Sequence, residues 1–356
     1  MMGRAKKTCA TTVAASMLAL AVSGNGDASA AGAGCFRGIN LSGAEFGAGN
    51  EPFKDYVYPS EQTIGYFASK GFTSIRLPFR WERLQPELFQ ELNADELRRI
   101  EETIVLARQY GMGVVLDPHN YARYRDHVVG SPELPDAAFA DFWARVAERF
   151  ANANDISFGL INEPFDIPTR QWLSAANAAI AAIRSVDARN LVLVPGTHWT
   201  GAHAWQREED GENHAAVMLE IKDPSNNYAY EVHQYFDEDF SGTKGTCSRA
   251  EDTVAALETF TQWLRDNGKR GYLGEYGVPY SIASCTKALE QATRVVEDGR
   301  DVWVGWAYWV AGDWWPASEP LNIQPTVSGD RPQLAGLEPF LRDSSGDGAT
   351  CPALGN

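Results

Sequence analysis

Short apolar runs alternate with longer amphipathic stretches along almost the whole chain. The runs are Phe36–Leu41, Phe72–Leu77, Gly113–Asp117, Ile156–Ile161, Leu191–Val194, Tyr228–Val232, Tyr272–Gly274 and Val302–Tyr308. Each has the length and near-continuous apolar character of a strand buried on both faces. Between most of them the period changes to that of a helix, over Ser60–Lys70, Asn93–Tyr110, Pro135–Phe150, Thr169–Val186, Thr253–Asn267 and Cys285–Asp298. Asn93–Tyr110 is the clearest, with Asn93 placed as a cap, Glu96 three residues on and Gly111 as a stop. Alternating strands and helices imply a parallel sheet with right-handed crossovers. Eight such repeats in one chain predict an α/β fold closed as a single (β/α)8 TIM barrel. Barrels of this kind place their reacting groups at the C-terminal ends of the strands.

Polar residues stand where the runs stop. Two glutamates, 112 residues apart, end the fourth and seventh runs, in Ile161-Asn162-Glu163-Pro164 and Gly274-Glu275-Tyr276-Gly277. Two carboxylates facing one cleft are the minimum equipment for cutting a glycosidic bond. Arg76 lies at the end of the second run, and the third is followed by Asp117-Pro118-His119-Asn120-Tyr121. His233-Gln234-Tyr235 follows the sixth, and Trp309 the eighth, with Asp313-Trp314-Trp315 just beyond. The stretch Thr197–Pro224 is a long connection after the fifth run, and long loops on the catalytic face usually build the binding cleft.

Residues 1–30 read as a processing signal. Arg4, Lys6 and Lys7 precede Thr11–Val22, an apolar stretch too short to span a bilayer, and Ala28-Ser29-Ala30 fits a cleavage site. The chain is therefore expected to be exported, with residues 31–356 forming one soluble catalytic barrel. The formal net charge of −16 becomes −18 without that leader, which disfavours nucleic acid and anionic membranes as partners. Four cysteines remain after Cys9 leaves with the leader, and in an exported chain they suggest two disulfides with three possible pairings. Cys247 and Cys285 flank the strand carrying Glu275 and are expected to pair; Cys35 would then tie to Cys351. The cysteine spacings match no zinc motif, and His198 and His203 make a poor ligand set, so no metal is expected. Asn40-Leu41-Ser42 matches a glycosylation sequon but falls at a strand end.

Arg76, His119, Asn162-Glu163-Pro164, His233, Tyr235, Glu275 and Trp309, in this order and spacing, resemble glycoside hydrolase family 5, and most closely its secreted endo-β-1,4-glucanases. Ile39-Asn40-Leu41-Ser42-Gly43-Ala44-Glu45-Phe46-Gly47 is similar to the first-strand motif of those enzymes, and His119-Asn120-Tyr121-Ala122-Arg123-Tyr124 to their third-strand loop. The resemblance runs from about Phe36 to Trp309. It implies that Glu163 is the acid/base and Glu275 the nucleophile of a retaining double displacement, which needs carboxyl groups about 5–5.5 Å apart. The acid must keep its proton near neutral pH, and the nucleophile needs cations and donors around it. Arg76 and Tyr235 resemble those partners of Glu275. Asn162 resembles the residue that binds the sugar 2-hydroxyl, and His119 and His233 the groups that orient sugar and carboxylates. Trp309 would stack on a pyranose beside the cut and Trp199 on the leaving-group side. Strand eight is richer in tryptophan than the family pattern, and His198 stands where an amide is expected.

The resemblance implies a β-glucan substrate, no cofactor and a monomer acting through an open cleft. Mannanases and other β-glucanases share the same catalytic set, because fold and chemistry do not fix the sugar. A third possibility is an inactive polysaccharide-binding barrel, against which stands the retention of both glutamates with Arg76 and Tyr235. Eleven tryptophans and thirteen tyrosines could serve sugar stacking, though core packing must account for most of them.

Overall fold

The amphipathic stretches form helices where their ends are chemically marked. The side chain of Asn93 accepts hydrogen bonds from the N–H groups of Asp95 and Glu96, starting the helix Ala94–Gln109. At its other end Gly111 adopts φ +71, and the N–H groups of Gly111 and Met112 return to the carbonyls of Arg108 and Ala107. This is a Schellman stop, and it needs the left-handed conformation that glycine adopts without cost. Glu96 does not complete a capping box. Its carboxylate instead accepts the hydroxyls of Tyr56 (2.7 Å) and Tyr58 (2.9 Å), fastening the first loop to this helix.

The structure, a computed structural model, describes residues 35–151, 153–209, 211–341 and 351–354, together with Met1 and Gly3. The expected leader, residues 1–30, otherwise lies outside the described residues. The barrel strands are β1 (Phe36–Leu41), β2 (Ser74–Phe79), β3 (Gly113–Pro118), β4 (Ile156–Gly159), β5 (Val192–Pro195), β6 (Tyr228–His233), β7 (Gly271–Glu275) and β8 (Trp303–Ala311). They close in the order β1-β8-β7-β6-β5-β4-β3-β2, every pair parallel. The helices that follow them are α1 (Glu61–Ser69), α2 (Ala94–Gln109), α3 (Asp136–Phe150), α4 (Thr169–Ser185), α5 (His214–Met218), α6 (Ala250–Asp266), α7 (Ala283–Asp298) and α8 (Leu334–Leu341). The result is the (β/α)8 barrel expected from the alternation of runs.

Two strands run two or more residues past the ends of their apolar runs. β2 continues through Pro78 to Phe79, pairing with β3 beyond Asn40↔Arg76, the last register pair with β1. Proline lacks a donor, and here it sits where only one neighbour remains. β8 extends to Ala311, so Trp309 lies within the strand and not beyond its end. The connection after β5 holds only short pieces: two single turns, the Glu208–Glu209/Glu212–Asn213 ladder and the five-residue α5.

Core packing absorbs most of the tryptophans. Trp81, Trp143, Trp172, Trp205, Trp303 and Trp306 are fully buried. A separate cluster of Val115, Leu193, Ala229, Tyr272, Val304 and Ala307 takes one side chain or more from five strands, with Cys351 and Ala353 packed on it. Cys35 is bonded to Cys351 and Cys247 to Cys285. The second bond links the segment ahead of α6 to the start of α7, on either side of β7 in the chain. Among the described residues no helix is long and apolar enough to cross a membrane.

Candidate active site

One arginine organises the C-terminal end of the barrel. Arg76 on β2 is fully buried. Its Nε donates to Glu231 (2.9 Å), Nη1 to Asn40 Oδ1 (3.0 Å) and Glu275 (2.9 Å), and Nη2 to Asn162 Oδ1 (2.9 Å). Asp117 stands 3.0 Å from Nη1. Burial alone would weaken the guanidinium's hold on its proton. The surrounding carboxylates of Asp117, Glu231 and Glu275 outweigh that and raise its pKa above the ordinary arginine value. Arg76 therefore fixes the positions of groups from β1, β3, β4, β6 and β7 at once. It also settles the orientation of Asn162: the oxygen faces the arginine, which leaves the buried Nδ2 donor without a partner. Asn40 of the sequon is likewise buried, with its Nδ2 directed at the carbonyls of Gly274, Ala307 and Tyr308.

The two glutamates meet above this hub. One oxygen each of Glu163 and Glu275, with one nitrogen of His233, all lie within 4.8 Å of one another. Arg76 donates to Glu275 Oε1, and the Tyr235 hydroxyl donates to Oε2 at 2.6 Å, so each oxygen has a donor. Glu163 is the more open of the two, its side chain 15 % exposed against 4 % for Glu275, which leaves it in reach of solvent. Burial raises the Glu163 pKa above the usual carboxyl value, although a hydrogen bond from His233 Nδ1 (2.7 Å) works against this. Glu163 has φ +40, a left-handed conformation that costs a non-glycine residue about 1–3 kcal/mol. The turn is held on both sides: Asn162 N–H donates to the Pro118 carbonyl, and Trp199 N–H to that of Pro164.

His233 opposes its own burial. Glu275, Glu163 and Glu231 overcome the desolvation and raise its pKa to about 10. The linkage has a definite sign. A histidine raised from 6.5 to about 10 contributes stability that is fully present below pH 6.5 and is lost as pH rises through about 10. Urea unfolding is therefore expected to give a lower free energy at about pH 10 than at about pH 7. Equal values at the two pH settings would contradict a protonated His233. His119 is raised in the same way: burial opposes protonation, but Asp117, 2.8 Å from Nδ1, prevails.

The cleft continues on both sides of the glutamates. On one side a hollow of about 460 Å³ is lined by Glu45, Phe46, His119, Trp309 and Trp315. Trp309 stacks on His119 at 5.5 Å, and its edge meets Trp315. Trp314 turns away to stack on Phe46. On the other side a hollow of about 510 Å³ is lined by Tyr121, Trp199, His203, Arg207 and Phe240. Trp199 is half exposed and lies flat against Phe165, 5.0 Å away and 5° from parallel. The Arg123 guanidinium lies over the Phe165 ring, 4.0 Å from its centroid.

The structure thus brings together Arg76, His119, Asn162, Glu163, His233, Tyr235, Glu275 and Trp309, with Trp199 at the far wall. Glu231 and Phe165 have no place among the residues the sequence singles out, and Glu45 stands there only within the first-strand motif. An acid inside the apolar run Tyr228–Val232, two residues from His233 and so on the same face, was the available signal for Glu231. His198 and His203 do not converge: His203 bonds Gln234 and stacks on Phe240, while His198 stands 3.5 Å from Glu209. Among the described residues the one group with metal-ligand proximity is Glu163, His233 and Glu275. These groups are already engaged with one another, His233 Nδ1 lying 2.7 Å from Glu163 Oε1 and Arg76 Nη1 2.9 Å from Glu275 Oε1.

A (β/α)8 barrel with an acid–carboxylate pair in an aromatic-walled cleft defines a glycoside hydrolase. The model of cellulases, glycosyl hydrolase family 5, matches residues 29–312, and the chain belongs to that family. Endo-beta-1,4-glucanase A of Emericella nidulans is 35% identical over 300 residues, covering 83% of this chain and 88% of the relative. Among solved structures, an endo-beta-1,4-glucanase from Xanthomonas axonopodis pv. citri is 44% identical with a TM-score of 0.84, covering 87% of this chain and 99% of that one. XacCel5A in complex with cellopentaose is also 44% identical, with a TM-score of 0.82, covering 85% of this chain and 98% of the other.

Proposed function

We propose that this chain is an exported, monomeric, retaining endo-β-1,4-glucanase that cuts internal bonds of cellulose-type glucans. The observation that carries the reading is the closeness of one Glu163 oxygen to one Glu275 oxygen, within 4.8 Å, which suits the short carboxyl separation of direct attack and falls short of the about 6.5–9.5 Å of an inverting pair. Glu163 gives its proton to the glycosidic oxygen as Glu275 attacks the anomeric carbon, and the leaving sugar departs. The C–O bond to the leaving group breaks and a Glu275–glycosyl ester forms. Glu163, now ionised, takes a proton from water, and that water displaces Glu275 from the same face on which the bond was first held. Configuration is retained over the two steps.

The remaining groups have matching tasks. The unpartnered Asn162 Nδ2 is placed to donate to the sugar 2-hydroxyl, a contact that strengthens at the transition state. His119 turns Nδ1 to Asp117, leaving Nε2 for sugar hydroxyls. Trp309 offers an apolar platform beside the cut, and Trp199, backed by Phe165, does so on the leaving-group side. Residues 1–30 act as the export leader and residues 31–356 as the catalytic domain, in keeping with two disulfides.

The relatives named above are endoglucanases, one of them bound to cellopentaose, which favours a β-1,4-glucan over a mannan. Reducing-end release from carboxymethylcellulose and from galactomannan, run side by side, tests this. Faster release from the cellulose derivative is expected. Release mainly from galactomannan would keep the mechanism and overturn the substrate, and binding without release from either would leave an inactive barrel.

A further inference from the structure

We propose that Glu231 is a positioning residue for the acid/base: its carboxylate, shared between Arg76 and His233, holds the His233 ring doubly protonated with Nδ1–H aimed at Glu163. The proposal rests on the reading of Glu163 as acid/base. Glu231 and His233 are two residues apart on β6, so both side chains enter the barrel on one face. Glu231 Oε1 receives Arg76 Nε at 2.9 Å and lies 3.3 Å from His233 Nε2. The other ring nitrogen, Nδ1, lies 2.7 Å from Glu163 Oε1 and 3.6 Å from Glu275 Oε2. The ring therefore has a carboxyl group at each nitrogen: a doubly protonated ring donates to both, whereas a neutral ring would have to take the Glu163 proton as its hydrogen bond at Nδ1 and so turn that proton away from the glycosidic oxygen.

The barrel makes room for this acid. A Cβ on Gly274 would fall 2.2 Å from Glu231 Oε1 and 2.9 Å from His233 Nε2, so β7 needs a glycine immediately before the nucleophile. Gly159 faces Oε2 from β4, where a Cβ would be 3.6 Å away. Glu231 is too deeply buried to touch a sugar in the cleft, and it lines neither hollow. Its second oxygen has no hydrogen-bond partner among the described residues. A buried carboxylate left half satisfied costs stability, and such groups persist where they serve a task.

The charges around His233 come from every side. Glu163 faces it from the end of β4, Glu275 from β7 and Glu231 from its own strand, with Arg76 from β2 behind Glu231. Tyr235 binds the Glu275 oxygen nearest the ring, and Asp117 with His119 completes the hub from β3. Glu231 is the one acid in this group that Arg76 and His233 hold away from the reacting centre. Its charge keeps the ring cationic through both steps, while Glu163 and Glu275 change state. A cationic Nδ1–H steadies Glu163 in its ionised form after the proton has left, and holds the carboxyl in line for the glycosidic oxygen.

The test is Glu231→Gln, which keeps shape and removes charge. Ring NMR resonances of His233, assigned with His233→Asn, report its protonation in free enzyme. In the wild type the ring is expected to stay protonated to about pH 9. In Glu231→Gln its midpoint is expected to fall by more than about one unit, with kcat down about tenfold and KM within about twofold, because the variant touches no sugar. Glu231→Asp, which keeps the charge, is expected to retain the high midpoint and recover part of kcat. An unchanged His233 midpoint, or a loss confined to KM, would overturn the proposal. If Glu231→Gln does not fold, a wild-type ring found neutral at about pH 7 overturns it alone. The ring titration needs no substrate, so it fails or holds separately from the endoglucanase reading, which an active Glu163→Gln enzyme would sink.

Discussion

Glu275→Gln is expected to reduce hydrolysis of carboxymethylcellulose by at least about 10⁴-fold while leaving the fold intact. The amide cannot attack an anomeric carbon, so the covalent route is closed. The structural cost is small because the site can accommodate it. The glutamine oxygen can face Arg76 Nη1 in place of Oε1, and its NH2 can donate to the Tyr235 hydroxyl, which accepts as readily as it donates. Arg76 keeps two carboxylates, Asp117 and Glu231. The melting temperature should therefore move by only a few degrees, whereas turnover falls to background. A Glu275→Gln enzyme within about tenfold of wild type would remove Glu275 from the chemistry.

Arg76→Met is expected to damage stability as well as activity. One guanidinium serves Asn40, Asp117, Asn162, Glu231 and Glu275, all buried. Removing it leaves three carboxylates in the barrel with no arginine among them. Breaking a buried pair by deleting one partner costs about 3–5 kcal/mol, and here one deletion breaks three pairs. Native domains have about 5–15 kcal/mol in hand, so the variant should melt at least about 10 °C lower or fail to fold. The deficit should shrink in acid, where carboxyls left without a counterion take up protons. Arg76→Lys should not rescue it, because a single ammonium cannot reach five acceptors that a planar fork spans. A Met variant melting within about 2 °C of wild type would show that the hub does not hold the barrel end together.

The barrel was legible because a strand buried on both faces is written as an unbroken apolar run, and eight such runs with helical spacers leave few other closures. The Asn93 cap and the Gly111 stop were legible for the same local reason. Glu96 misled, since a residue at the capping-box position met two tyrosines from a distant loop instead. Trp309 stands just past the apolar run, which ends at Tyr308, while pairing carries the strand on to Ala311. The ends of strands carried Arg76, Glu163 and Glu275 into view. Glu231 stayed hidden because it is a charged residue inside a run, justified only by Arg76, His233 and a glycine on other strands or two residues on. Phe165 behind Trp199 is likewise a contact between two loops, with no local pattern to announce it.

The most direct test of the account is to trap the glycosyl-enzyme. A cellobioside carrying fluorine at C2 and an activated leaving group slows the second step more than the first, so an ester on the nucleophile accumulates. Mass spectrometry of the treated enzyme is expected to show one cellobiosyl addition, located on the peptide that contains Glu275 and missing from Glu275→Gln. An addition on any other residue, or rapid turnover with release of inverted sugar and no adduct, would contradict the retaining mechanism placed on Glu163 and Glu275.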